Sequence, residues 1–216
     1  MTSPDIRGLF LDLDGTLADS MPVMRETYFR FLALRGAQGS QEEFDSLAGR
    51  PLSDIAVIIK NTYGLSEPPA EILRDYLDTV EEIYAREAKP MPGAPELLAA
   101  AHGRGVFTAV VTSATREQAR GFLRNHGLDK YVKALVGAEE VRRGKPDPEP
   151  YRLALKLAGL EPAQGLAAED SAIGAASALG AGLKTFIVRQ EGGLEGLVPG
   201  AAGYIRRLDE LVTLLG

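Results

Sequence analysis

From residue 105 onward, apolar runs too short for helices take turns with segments of helical period. GVFTAVVTS (105–113), ALVGA (134–138), GLAAED (165–170) and GLKTFIV (182–188) read as buried strands, each separated from the next by a helical stretch. Parallel strands need long crossovers, so this rhythm predicts a mostly parallel sheet with helices on both faces, a doubly wound α/β core. One more strand of the same kind, about Arg7 to Leu13, stands apart near the N-terminus. Residues 19–90 then show helical period alone. Met24, Tyr28, Phe31 and Leu32 share a stripe, and Leu52, Ile55, Ile59 and Tyr63 repeat its spacing. Between Pro68 and Glu87, Ile72, Leu73, Tyr76, Leu77, Val80, Ile83 and Tyr84 oppose a solvated face of Glu71, Asp75, Asp78 and Glu82. KPMPGAP (89–95) closes this unit as a linker. The expected organisation is a core of residues 1–18 and 91–216 interrupted by an all-helical unit, 19–90.

In open α/β sheets ligands sit beyond the carboxyl ends of the strands. The residues ending each apolar run form a coherent set: Asp12 and Asp14 after the first strand, Thr112 and Ser113 after GVFTAVV, and Glu169 and Asp170 after GLAA. Lys145 stands among them in the proline-flanked loop RRGKPDPEPY (142–151). Strand periodicity points Asp12 and Asp14 the same way. Local roles compete with a shared one. Asp14-Gly15 suits a turn, and Asp170 suits an N-cap before SAIGAASALG. Thr115 and Gln118 already have capping-box spacing, which leaves Thr112 spare. Asp12 has no such local use, and burying a lone carboxylate costs several kcal/mol.

Composition narrows the chemistry. Twenty-four Lys and Arg against 30 Asp and Glu give a net charge of -6, unlike the basic footprint of a nucleic-acid binder. There is no cysteine, which removes disulfides, thiolate nucleophiles and cysteine-bound zinc. His102 and His126, the two histidines, read as helix-end or surface residues. No apolar run approaches the ~20 residues of a membrane span and no signal-peptide pattern opens the chain, so a soluble cytoplasmic protein is expected, a monomer by default. Oxygen donors without His or Cys suit a hard cation, and Mg²⁺ is the usual one where phosphate is bound. A carboxylate attacking a phosphate dianion meets repulsion of about 4 kcal/mol per charge pair at 4 Å and an effective dielectric near 20. Mg²⁺ and Lys145 would offset it, with the turn amides of Gly15 and Thr16 as further anion contacts. Asp12 then suits a nucleophile that forms an aspartyl-phosphate, and Asp14 a general acid and base.

Through DLDGT (12–16), VVTS (110–113), GKPDPEPY (144–151) and EDSAIG (169–174) the chain resembles the haloacid dehalogenase superfamily over nearly its whole length. The resemblance implies a Rossmann-like core with a small helical cap inserted after the first strand. It implies that Asp12 is nucleophile and Mg²⁺ ligand, and that Asp14 is acid/base with its backbone carbonyl on Mg²⁺. Thr112, Ser113, Lys145 and Gly15 would bind phosphate, and Asp170, with Glu169 as ligand or support, would hold the metal. Gly49 and Arg50 of LAGRPLSDI (47–55) would be cap contacts to substrate. Asp14 separates the chain from true dehalogenases and phosphonate-cleaving relatives, which lack that aspartate. The implied activity is hydrolysis of a small phosphorylated metabolite such as phosphoglycolate or a sugar phosphate, with a β-phosphoglucomutase-like phosphomutase as the alternative.

Overall fold

GLFL (Gly8–Leu11) forms β1, and all four residues are buried, as expected of a strand covered on both faces. The computed structural model describes residues 5–47, 52–189 and 196–216. β1 pairs in parallel with Phe107–Val111 (β4) on one side and Gly165–Glu169 (β6) on the other, with Gly8 opposite Phe107 and Gly165. Two short strands, Ala18–Asp19 (β2) and Lys89–Pro90 (β3), pair antiparallel outside this sheet. Ala134–Val136 (β5), Lys184–Val188 (β7) and Gly203–Ile205 (β8) complete a six-stranded parallel sheet in the order β5-β4-β1-β6-β7-β8. The strands expected from the sequence are all present. β8 was not foreseen, because three residues are too few to display a period.

Phe10, Ala109, Val111, Val136 and Ala167 project from the sheet into one buried cluster. Against them pack Tyr151, Ala154 and Leu155 of Glu149–Ala158 (α7) and Ala178 of Ala172–Gly180 (α8). Leu9, Leu11 and Val110, equally buried, alternate to the opposite face. Ala94–Gly103 (α5), whose Leu97, Leu98 and Ala101 are fully buried, adjoins β4. Arg116–Asn125 (α6) adjoins β5. The result is a Rossmann-like, doubly wound core.

The chain divides into two compact units, Met1–Asp19 with Lys89–Gly216, and Ser20–Ala88. The second is all helix: Met21–Ala33 (α1), Gln41–Leu47 (α2), Leu52–Tyr63 (α3) and Pro69–Glu87 (α4). Within it Phe31 of α1 meets Tyr76 of α4 edge to face at 5.3 Å between centroids. Arg35, just beyond α1, stacks over the Phe31 ring and reaches Asp75 at 2.7 Å, tying the end of α1 to α4 through both apolar and charged contact. The expected cap contacts Gly49 and Arg50 lie outside the described residues.

Phe10 sits where β1, β4 and α7 converge, so its loss leaves a cavity that the neighbouring strands cannot close. Phe10→Ala is expected to destabilise the sheet-bearing unit by about 3–5 kcal/mol. A shift in its urea midpoint at unchanged slope would register this, and a midpoint within error of wild type would contradict the packing described.

Candidate active site

β1 ends at Leu11, earlier than its sequence suggests, but the Asp12 N–H still donates to Ala168 O at 3.1 Å. Asp12 is thus the last residue the sheet holds, and its side chain is 9% exposed at the carboxyl edge. Asp14 lies in the turn beyond, so the turn and not strand alternation sets its direction. Leu13 O accepts from the N–H groups of Thr16, Leu17 and Ala18, and Gly15 supplies the positive φ of 74° that closes the loop. The Gly15 and Thr16 amides, expected to face an anion, are used by the turn: they donate to Ala18 O at 2.9 Å and to Leu13 O at 3.2 Å. A Cβ at Gly15 would stand 2.1 Å from Asp170 Oδ2, so glycine also makes room for that carboxylate.

Glu169 is the last residue of β6 and is fully buried; Asp170 follows it, half-buried. Ser171, and not Asp170, caps α8, its hydroxyl accepting from Gly174 N–H at 3.0 Å. The capping role that competed for Asp170 in the sequence is therefore taken by its neighbour. Gly174 in turn leaves space for Glu169, since a Cβ there would fall 2.0 Å from Oε2. Carboxylate oxygens of Asp12, Glu169 and Asp170 all lie within 4.8 Å of one another.

Lys145 enters this acidic cluster from the loop before α7. The loop is stitched by Glu149, whose carboxylate accepts from the N–H groups of Arg142 at 2.9 Å and Arg143 at 3.2 Å. Ser177 Oγ of α8 donates to Asp147 O at 2.6 Å, pinning the loop to the next helix. Lys145 Nζ then donates to Asp12 Oδ1 and Glu169 Oε1, each at 2.6 Å, and to Val111 O at 3.0 Å. All three ammonium donors are satisfied, and the side chain is only 6% exposed. Tyr151, in the first turn of α7, donates its hydroxyl to the same Glu169 Oε1 at 2.5 Å. Sequence reasoning gave Tyr151 no role; a tyrosine on an apolar helix face looks like core until its hydroxyl's partner is known.

Thr112 follows β4 and is buried; its Oγ accepts from Ala114 N–H at 3.0 Å, leaving its O–H as a donor. Thr115 caps α6 by accepting from Gln118 N–H, as its spacing foretold. Ser113 is exposed.

Three carboxylates face one ammonium, which leaves an excess of negative charge in a poorly solvated place. Burial raises the Glu169 and Asp170 carboxyls above the usual carboxylate range, and the Asp12 charge adds to it. Burial alone would lower Lys145, but Asp12 and Glu169 outweigh it and hold the ammonium above its ordinary value. Lys145 therefore stays charged across the neutral range. Between the ordinary carboxylate range and these raised values, the folded chain holds protons on Glu169 and Asp170 that the unfolded chain has released. That stabilising difference is complete below the ordinary carboxylate range and is lost as pH rises through the folded values. In chelator the melting temperature is expected to fall between pH 5 and pH 8, less steeply in Glu169→Gln. Identical slopes in the two proteins would disprove the assignment.

With this geometry in view, residues 9–188 match the family model of haloacid dehalogenase-like hydrolases. The chain is 33% identical to a plasmid-encoded phosphoglycolate phosphatase of Cupriavidus necator, over 96% of this chain and 92% of the relative. It is 31% identical to an N-acetylmuramic acid 6-phosphate phosphatase of Pseudomonas aeruginosa, over 85% and 82%. Among solved structures, CbbY from Rhodobacter sphaeroides in complex with phosphate superposes with a TM-score of 0.83 at 25% identity, covering 95% of this chain and 96% of that one. A β-phosphoglucomutase from Clostridium difficile shares the fold at a TM-score of 0.75 and 15% identity, covering 95% and 93%. The chain belongs to the haloacid dehalogenase-like hydrolases.

Proposed function

We propose that this hydrolase is a Mg²⁺-dependent phosphatase of small phosphate monoesters, acting through an aspartyl-phosphate on Asp12. The observation that carries this reading is the Lys145 bridge between Asp12 and Glu169 beside Asp170. The donor set fits Mg²⁺ on three counts. It is all oxygen, it carries surplus negative charge, and Glu169 Oε2 is buried with no hydrogen-bond partner among the described residues. Asp12, Glu169 and Asp170 would hold the ion, with the Asp14 carbonyl as a further ligand. When bound, Mg²⁺ supplies positive charge that offsets repulsion between the substrate's phosphoryl oxygens and the carboxylates.

The chain's own groups carry the remaining steps. Lys145 orients the Asp12 carboxylate at the strand end through its hydrogen bond to Oδ1, and stands beside the position the phosphoryl group would occupy. An Asp12 oxygen attacks phosphorus, and the bond from phosphorus to the ester oxygen breaks. Asp14 gives its proton to the departing oxygen. The Thr112 hydroxyl donates to a phosphoryl oxygen, and exposed Ser113 extends the same edge. Asp14, now ionised, takes a proton from water, whose oxygen attacks phosphorus and releases Asp12 and inorganic phosphate. The helical unit, residues 20–88, leaves the core shortly after Asp14, and we read it as the cap that excludes water and selects the substrate.

Hydrolysis is favoured over phosphoryl isomerisation because the relatives reported above at 33% and 31% identity, which span most of the chain, are named as phosphatases. Structures named as β-phosphoglucomutases match at 24% and 15% identity, likenesses that concern the fold. No helix among the described residues is long and apolar enough to cross a membrane.

The test is a parallel assay of phosphoglycolate, hexose and hexitol phosphates, and β-glucose 1-phosphate with a bisphosphate primer, with and without Mg²⁺. Release of phosphate from one ester far above the rest, abolished by chelator, is expected; primer-dependent glucose 6-phosphate without phosphate release would replace the reading with the mutase. Asp12→Asn is expected to lose turnover with an unchanged circular dichroism spectrum. Asp14→Asn should slow turnover by about 10²–10⁴, the usual worth of a positioned acid and base. Near-normal rates in either variant would reassign that role.

A further inference from the structure

Tyr151 is a fully buried phenol whose hydroxyl ends on the acidic cluster, and the sheet core does not need that oxygen. Its ring lies in the buried cluster that includes Phe10, Ala154 and Ala167, and phenylalanine would fill the same volume. The hydroxyl's partner is Glu169 Oε1, which also accepts from Lys145 Nζ at 2.6 Å. A carboxylate oxygen has two lone-pair directions, so these two donors fill Oε1. Oε2, lodged against Gly174, is left with no hydrogen-bond partner among the described residues. A carboxylate held by one donor can turn about its own axis; one held by two donors on the same oxygen, from different elements, cannot do so without breaking both.

We infer that Tyr151 is a positioning residue: by sharing Glu169 Oε1 with Lys145 it fixes which oxygen of Glu169 is left for a divalent cation. This rests on the reading of Asp12, Glu169 and Asp170 as the cation's holders. The hydrogen bond also explains how one lysine can serve two carboxylates. Tyr151 carries part of the load on Glu169, so Lys145 is not drawn away from Asp12. Groups that orient metal ligands typically matter by 10–100-fold in metal affinity when removed. The ring of Tyr151 also lies 5.4 Å from Lys145 Nζ, a contact that phenylalanine would keep. The Tyr151→Phe change therefore isolates the hydroxyl.

Titration calorimetry of the metal-free protein with MgCl₂ tests this on wild type, Tyr151→Phe, Glu169→Gln and the double variant. The expected result is an about tenfold or greater rise in Kd for Tyr151→Phe, a rise for Glu169→Gln, and little further rise when the two are combined. In turnover assays, excess Mg²⁺ should restore kcat of Tyr151→Phe with KM for the ester unchanged, a recovery that general loosening of the core would not give. Wild-type Mg²⁺ affinity in Tyr151→Phe, with Glu169→Gln weakened, overturns the role of Tyr151 and leaves the metal site standing. Wild-type affinity in Glu169→Gln overturns the metal assignment and this inference with it.

Discussion

The site depends on one buried ammonium. Lys145 joins the ends of two strands that are neighbours in the sheet, β1 through Asp12 and β6 through Glu169, and anchors to β4 through the Val111 carbonyl. A buried pair of charges is seldom a net source of stability, because desolvation offsets much of the attraction. Here there are two carboxylates on one ammonium and a third alongside, so the arrangement is poorer still as a stabilising device. That arrangement, at the carboxyl edge of a well-packed parallel sheet, is the observation on which the proposed cation and phosphoryl site rests.

Small residues make that concentration of acid sterically possible. Gly15 and Gly174 stand where any side chain would collide with Asp170 and Glu169, respectively. The two glycines come from different segments, one a turn after β1 and one the first turn of α8, yet each clears space for the carboxylate that β6 delivers. Ser171 takes the helix cap and so frees Asp170 from a local duty. Local structure and site chemistry are thereby divided among adjacent residues instead of competing for the same one.

Rigidity reaches Lys145 from both flanks. Glu149 gathers the loop by accepting two backbone N–H groups, and these bonds, the Arg142 N–H foremost, hold its carboxyl below the usual range. Ser177 of α8 and the hydroxyl of Tyr151 on α7 add contacts from the helices that cover the sheet. The packing that stabilises the core and the bonds that aim the acidic cluster thus share the same two helices.

Much of this was legible in the residues. Alternating apolar runs and helical periods gave the parallel sheet, the helical stripes gave the helical unit, and acids, hydroxyls and a lysine at successive run ends pointed to the candidate site, because strand ends in such sheets fall on one edge. Three features were not legible. β8 is too short to carry a period, the Gly15 and Thr16 amides are consumed by turn bonds that a list of residue types does not reveal, and Tyr151 is indistinguishable from core packing by its position on α7. By itself the sequence determined which chemical groups are present and that they gather at one sheet edge, since local periodicity and strand polarity follow from covalent geometry. Only the tertiary structure decided that Lys145 bridges Asp12 and Glu169, that Ser171 relieves Asp170, and that Tyr151 completes Glu169. Hydrogen bonds between groups far apart in the chain depend on distances of a few tenths of an ångström, which packing sets and sequence order does not.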